Sequence, residues 1–308
     1  MNMKIIKTCS VLLAVLLLAA CSSEETTDGV WARLGLNVSI GTPTRAVYEM
    51  TQATLNNATA FPDGTTIGLS VSDADGTVYT TSNTPYTLNG TVWEGQDIWL
   101  NGTPAMVSVY HPYSSTANPK AIPVDCTAGV DYLYVPYDAD HTVNNYRPLA
   151  NLEMRHAMSV FRLSLVSNIG TAIISTVELS GEGIRKSGFL DTTTGVMTFP
   201  TSTATDLLRA SDLDINISHD RNHPTTIDFF VLPTGVDNSN LIINIAINGK
   251  SYTATVNNRP FSQGKIYQFP LEVGEGRLLT VSSIVAMEWR EGTINPNNEP
   301  FDVVADTD

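Results

Sequence analysis

The 308-residue sequence predicts an all-β protein of the sandwich type. Three observations carry that prediction. Short alternating or aliphatic runs recur at 66–72, 106–110, 130–135, 160–166, 176–179, 213–217, 227–232, 241–247, 251–256, 266–273 and 279–289. Turn-forming pairs separate them, among them Asp63-Gly64, Asp75-Gly76, Asn89-Gly90, Asn101-Gly102, Thr194-Gly195 and Asn248-Gly249. No stretch after the first 21 residues keeps a helical period over several turns. Many short strands joined by tight turns suit stacked antiparallel layers better than a parallel sheet with crossover helices.

Residues 1–21 read as a processing segment. Lys4 and Lys7 precede an apolar run at 11–18, which is too short for a permanent membrane span. Leu18-Ala19-Ala20-Cys21 resembles the lipobox of bacterial lipoproteins, which would make Cys21 the acylated first residue of the mature chain. The plainer alternative is an ordinary signal peptide with a chance cysteine. Ser22-Ser23-Glu24-Glu25 resembles an acidic surface tether.

The next element is the one that sets the functional reading. Leu34, Leu36, Val38 and Ile40 alternate with Gly35, Asn37, Ser39 and Gly41, so a β conformation places all four aliphatic side chains on one face. Thr42-Pro43-Thr44-Arg45-Ala46 follows, where Pro43 cannot continue a hydrogen-bond ladder and Arg45 offers a cleavable bond in a polar loop. Cutting Arg45-Ala46 would detach the strand and leave an apolar groove bordered by unpaired backbone, a template for a strand from another chain.

Removing the leader takes two lysines and moves the formal charge from -14 to -16. Such an acidic balance argues against nucleic acid as a partner. Cys126 is then the only cysteine in the folded part, so the core rather than a disulfide must stabilise it. Chain length suggests two domains, with a polar, turn-rich junction between Tyr137 and Glu153, placed near Pro148. The expected layout is 1–21 signal peptide, 22–45 tether and removable strand, 46–150 N-terminal sandwich and 151–308 C-terminal sandwich with a tail.

Chemical motifs are few. Asp73-Ala74-Asp75-Gly76 begins like a calcium loop, but position twelve is Thr84 rather than glutamate, so a turn is the better reading. His219 and His223 sit in a loop with Arg221, Asn222 and Pro224, without the helix or glutamate of a zinc hydrolase. His156 is expected to be a packed histidine at the domain junction, and Cys126 a small buried hydrophobe. No catalytic residue, metal site or cofactor is expected, and the chain is not read as an enzyme. Trp93, Trp99, Tyr110, Tyr113, Tyr132, Tyr134 and Tyr137 keep a glycan-binding surface lipoprotein as an alternative, against the plainer reading that alternate tyrosines pack on a sheet face.

Taken in order, the lipobox, Thr44-Arg45-Ala46, Phe61-Pro62-Asp63-Gly64-Thr65, Asn89-Gly90-Thr91-Val92-Trp93, Val109-Tyr110-His111-Pro112-Tyr113, Arg155-His156-Ala157-Met158-Ser159, Gly264-Lys265-Ile266-Tyr267 and Trp289 resemble the fimbrillin family, the subunits of type V pili. The resemblance implies two tandem transthyretin-like β-sandwich domains and export as an outer-membrane lipoprotein. It implies cleavage after an arginine by a trypsin-like, arginine-specific protease and loss of the first strand. It also implies assembly with other pilin subunits by strand exchange in a cell-surface fimbria that adheres to a host or bacterial ligand. Carried onto this chain, the cut falls at Arg45-Ala46 and the removed strand is Leu34 to Ile40. The candidate donor is the segment of Leu279, Val281, Val285 and Met287, whose apolar residues are expected to share one face with Trp289, or the looser tail beyond it. An uncleaved pilus anchor would differ only in keeping its lipid.

Overall fold

The computed structural model describes residues 30–41, 61–200, 206–233, 241–256, 260–275, 279–281 and 284–289. Strands, turns and irregular connections make up these residues, with no helix among them. The predicted all-β class is therefore observed. Cys21, Arg45 and Ala46 lie outside the described residues.

The first sheet has seven strands in the spatial order Gly35–Ile40, Leu149–His156, Leu133–Val135, Met106–His111, Thr66–Ser72, Thr80–Asn89 and Val92–Gly95. Every pairing is antiparallel except the first, where Gly35–Ile40 runs parallel to Leu149–His156. The two end strands approach within 8 Å between Cα atoms, so the sheet curls around its own core. Inside it lie Ile67, Leu69, Val71, Val107, Val109, Leu100 and Met154. Gly68 serves a close approach: it faces Tyr110, and a Cβ there would meet the ring at 2.1 Å. The Tyr110 hydroxyl donates to Asn83 Oδ1 at 2.6 Å, which anchors a bulge in the neighbouring strand.

Two further sheets share a second core. One is ordered Thr225–Val231, Ser159–Ser167, Lys265–Val273, with Leu279–Val281 and Val285–Glu288 both paired to the last. The other is ordered Leu208–Ala210, Ile173–Ser180, Leu241–Ile247, Lys250–Val256. Phe161, Leu163, Phe269 and Leu271 of one meet Val177, Leu179, Ile243 and Ile245 of the other. The predicted hairpin at Asn248-Gly249 is present: both residues have positive φ, 49° and 74°, and Ile247 faces Lys250.

The expected junction near residue 150 falls inside a strand. Leu149–His156 belongs to the first sheet, and its Met154 to the first core, because Ala150, Leu152 and Met154 alternate inward. Ile122–Asp125, earlier in the chain, pairs with Ser187–Leu190 and packs into the second core. His156 links the two regions. Its Nδ1 lies 2.8 Å from Asp131 Oδ2, and its ring stacks on that of Trp289 with centroids 3.8 Å apart. Cys126 is buried in the second core, and burial pushes its thiol up to about 12, as befits an inert side chain.

Asp73 shows why its segment is a turn. Its carboxylate accepts the backbone N–H groups of Tyr79 and Val78, both at 2.9 Å, and of Thr77 at 3.3 Å. The Tyr79 N–H, with those of Val78 and Thr77 in support, holds the carboxyl well below the usual carboxylate range. A depressed folded-state pKa gives stability that is full above the unfolded value near 3.8 and is lost as pH falls through the folded value. Asp73→Asn is thus expected to lower the melting temperature at pH 7, and the gap from the unsubstituted protein should narrow below about pH 4. Melting curves at pH 7 and pH 3 check this; a gap that widens in acid contradicts it.

Candidate functional site

The first strand and the edge that receives it form the site with the clearest physical logic. The register is Gly35 opposite Leu149, Leu36 opposite Ala150, Val38 opposite Leu152 and Ile40 opposite Met154. Beyond the ladder proper, the Gly35 N–H donates to Pro148 O at 2.7 Å and the Gly41 N–H to Met154 O at 3.0 Å. On the outward face the Asn37 amide donates to Asn151 Oδ1 at 3.0 Å. Before the strand, the Leu34 N–H donates to Ile98 O at 2.8 Å, Ala32–Arg33 pairs with Trp99–Leu100, and Arg33 meets Asp97 at 2.6 Å.

The alternation predicted from sequence is observed, but its depth is uneven. Leu34 is buried, whereas Leu36, Val38 and Ile40 are only partly buried against the first core. The reason is position: Gly35–Ile40 is the outermost strand of its sheet and has a ladder partner on one side alone. Its stabilising contribution is accordingly less than four full burials would give.

Leu149–His156 depends heavily on this neighbour. Its other ladder, to Leu133–Val135, engages only Arg155 and His156. Removing Gly35–Ile40 would therefore uncover the backbone of residues 149–154 together with the apolar row Ala150, Leu152 and Met154. Sequence reasoning missed this receiving strand, although Ala150, Leu152, Met154 and His156 alternating with Leu149, Asn151, Glu153 and Arg155 carried the signal.

The candidate donor segment is placed differently from the expectation. Leu279–Val281 and Val285–Glu288 are two stretches of antiparallel neighbour to Lys265–Val273. The register slips by one residue between them, since Val281 stands opposite Leu271 but Val285 opposite Gln268. Directly opposed positions share a pleat, so positions 279 and 281 take the parity of Leu271, and positions 285 and 287 that of Gln268. The unbroken register expected of Leu279, Val281, Val285 and Met287 is not observed. Trp289 closes the segment, buried against Phe230 and His156.

Other candidates dissolve into structure. His219 Nδ1 lies 2.8 Å from Ser167 O, while His223 pairs with Asp220 at 2.7 Å, and no group of metal-ligating side chains occurs among the described residues. Of the aromatic residues that kept a glycan platform as an alternative, Trp93, Tyr110 and Tyr134 are buried and Tyr113, Tyr132 and Tyr137 half-buried. Only Trp99 is exposed.

A family described as fimbrillin-like matches residues 44–289. The match begins after the first strand, one residue before Arg45, and ends at Trp289. No curated protein matches the chain. Among solved structures, the chain is similar to a candidate cell adhesion protein from Bacteroides uniformis, at 17% identity over 83% of this chain and 99% of the other, with a TM-score of 0.57. A second candidate cell adhesion protein, from Bacteroides ovatus, matches at 16% identity over 84% and 98%, with a TM-score of 0.59. A fimbrial protein from Bacteroides vulgatus matches at 14% over 83% and 99%, with a TM-score of 0.56. At these identities the likeness is one of fold.

Proposed function

The chain belongs to the fimbrillin-like family, and from that premise we propose that it is a structural subunit of a cell-surface fimbria, exported as a lipoprotein on Cys21, cut after Arg45 and assembled by β-strand exchange. What supports the reading is one arrangement: a six-residue strand at the sheet edge, parallel to a neighbour that has few other ladder partners, and lying wholly before the family-matched segment. A strand so placed can leave without dividing the sheet behind it.

In this reading residues 1–21 are the signal, 22–45 the tether and removable strand, and the remainder two tandem transthyretin-like sandwiches that meet after His156. The subunit's partners are other pilins, an arginine-specific protease, and outer-membrane lipid until the cut is made. The donor is the tail beyond Trp289. Leu279–Val281 and Val285–Glu288 already pair within their own sheet, and the slip between them breaks the alternation a receiving edge requires. In the tail, Phe301, Val303 and Ala305 alternate with the spacing of Leu36, Val38 and Ile40.

The N-terminus of the protein recovered from the cell surface tests processing. The expected first residue is Ala46, with Arg45→Ala protein keeping an acylated Cys21. Recovery of the unaltered chain solely with acylated Cys21 would contradict the reading and favour an anchor that is never cut.

A further inference from the structure

We propose that the aromatic patch at the start of the first strand rests on the interface of the lipid bilayer while the chain is acylated, and that processing at Arg45 dismantles it. The proposal rests on the lipoprotein reading of Cys21. Ten large apolar side chains are exposed among the described residues, and five of them, Val30, Trp31, Trp99, Tyr146 and Leu149, gather around this one end. Each is between 52% and 65% exposed.

Backbone pairing brings them together. Arg33 faces Trp99 across the short antiparallel ladder, so Trp31, two residues before Arg33, lies diagonal to Trp99 on the same outward side. Val30 O accepts the Asn145 side-chain amide at 2.8 Å, which sets Tyr146 beside the patch. Leu149 lies across from Gly35, which lacks a side chain to cover it, and Leu149 Cδ1 comes within 3.2 Å of where a Cβ would stand. Soluble surfaces seldom collect apolar side chains in this way without a partner.

The occupant follows from chain length and side-chain chemistry. Cys21 stands nine residues before Val30, a reach of at most about 30 Å, so an acyl group there keeps this end of the molecule within that distance of the membrane surface. Tryptophan and tyrosine favour the headgroup boundary, where the ring is apolar and its N–H or O–H stays wet. Cutting after Arg45 would carry away Cys21, Val30 and Trp31 together, and leave Trp99, Tyr146 and Leu149 beside the emptied edge. One cut would then release both the lipid and part of the surface that holds the bilayer.

Tryptophan fluorescence tests this, because the four tryptophans divide evenly. Trp31 and Trp99 are exposed, while Trp93 and Trp289 are buried. Mature protein, its acylation at Cys21 first verified by mass spectrometry, is inserted into phosphatidylcholine vesicles with and without brominated acyl chains. Brominated lipid is expected to quench the emission share of the two exposed tryptophans, and a Trp31→Ser, Trp99→Ser double variant should lose nearly all of that quenching. Unchanged melting would show that the variant folds. Equal quenching of both proteins, or none of either, overturns the proposal, as does loss of a vesicle-free dimer on the same substitutions, which would make the patch a contact between copies. Absence of the acyl mass would instead fail the lipoprotein reading itself.

Discussion

Replacing Asp228 by Ala is expected to cost about 3–5 kcal/mol of stability, enough to unfold a marginal domain. Asp228, on the outermost strand Thr225–Val231, faces Arg162 on its neighbour Ser159–Ser167, with Nε donating to Oδ1 and Nη2 to Oδ2, both at 2.6 Å. Both residues are buried, and the flanking strand positions hold buried Phe161, Leu163, Ile227 and Phe229. The pair's net worth against an apolar pair is small, but removing one partner strands the other's charge. Arg162→Met, Asp228→Leu together should therefore recover most of the loss. Denaturant unfolding of the two variants checks this; a double variant as unstable as Asp228→Ala would show that geometry, not the orphaned charge, carries the cost.

A second large effect is expected at Leu34, and it should be local. Leu34 is the one fully buried side chain of the first strand segment, so Leu34→Asp loses roughly 1.5–3 kcal/mol of burial and asks a carboxylate to enter the core. The strand should detach while both cores persist. Hydrogen exchange reads this directly. Amides of residues 35–41 and 149–154 should exchange on the order of 100-fold faster, while those of Leu241–Ile247 in the second core stay unchanged. Asn37→Asp, on the outward face, should shift the same amides little. Equal effects of the two, or global unfolding by Leu34→Asp, would contradict a detachable strand.

The alternation of Leu34 to Ile40 was legible because a strand's side chains repeat every two residues, and burial on one face leaves that imprint whatever the strand pairs with. Its partner was not legible. Nothing in Gly35–Ile40 specifies a parallel neighbour as distant in the chain as Leu149–His156, since period two assigns a face and not a mate. Thr80–Asn89 escaped notice because Thr, Ser, Asn and Pro85 dominate it, and its place between two strands comes from tertiary pairing rather than hydrophobicity. The segment 279–289 shows the opposite failure. Its apolar spacing was plain, yet a one-residue slip opposite Lys265–Val273 moves half of it to the other pleat. The adjacency of Trp31 and Trp99 was not legible either, as only the ladder of Ala32–Arg33 with Trp99–Leu100 sets them side by side.

The most direct measurement of the central claim is size-exclusion chromatography with mass spectrometry before and after limited cleavage by an arginine-specific protease. The account predicts a first cut at Arg45-Ala46, loss of the peptide that carries Gly35–Ile40, and growth of concentration-dependent polymers that an Arg45→Ala chain does not form. Cleaved protein that stays monomeric at high concentration with the peptide still bound would contradict it.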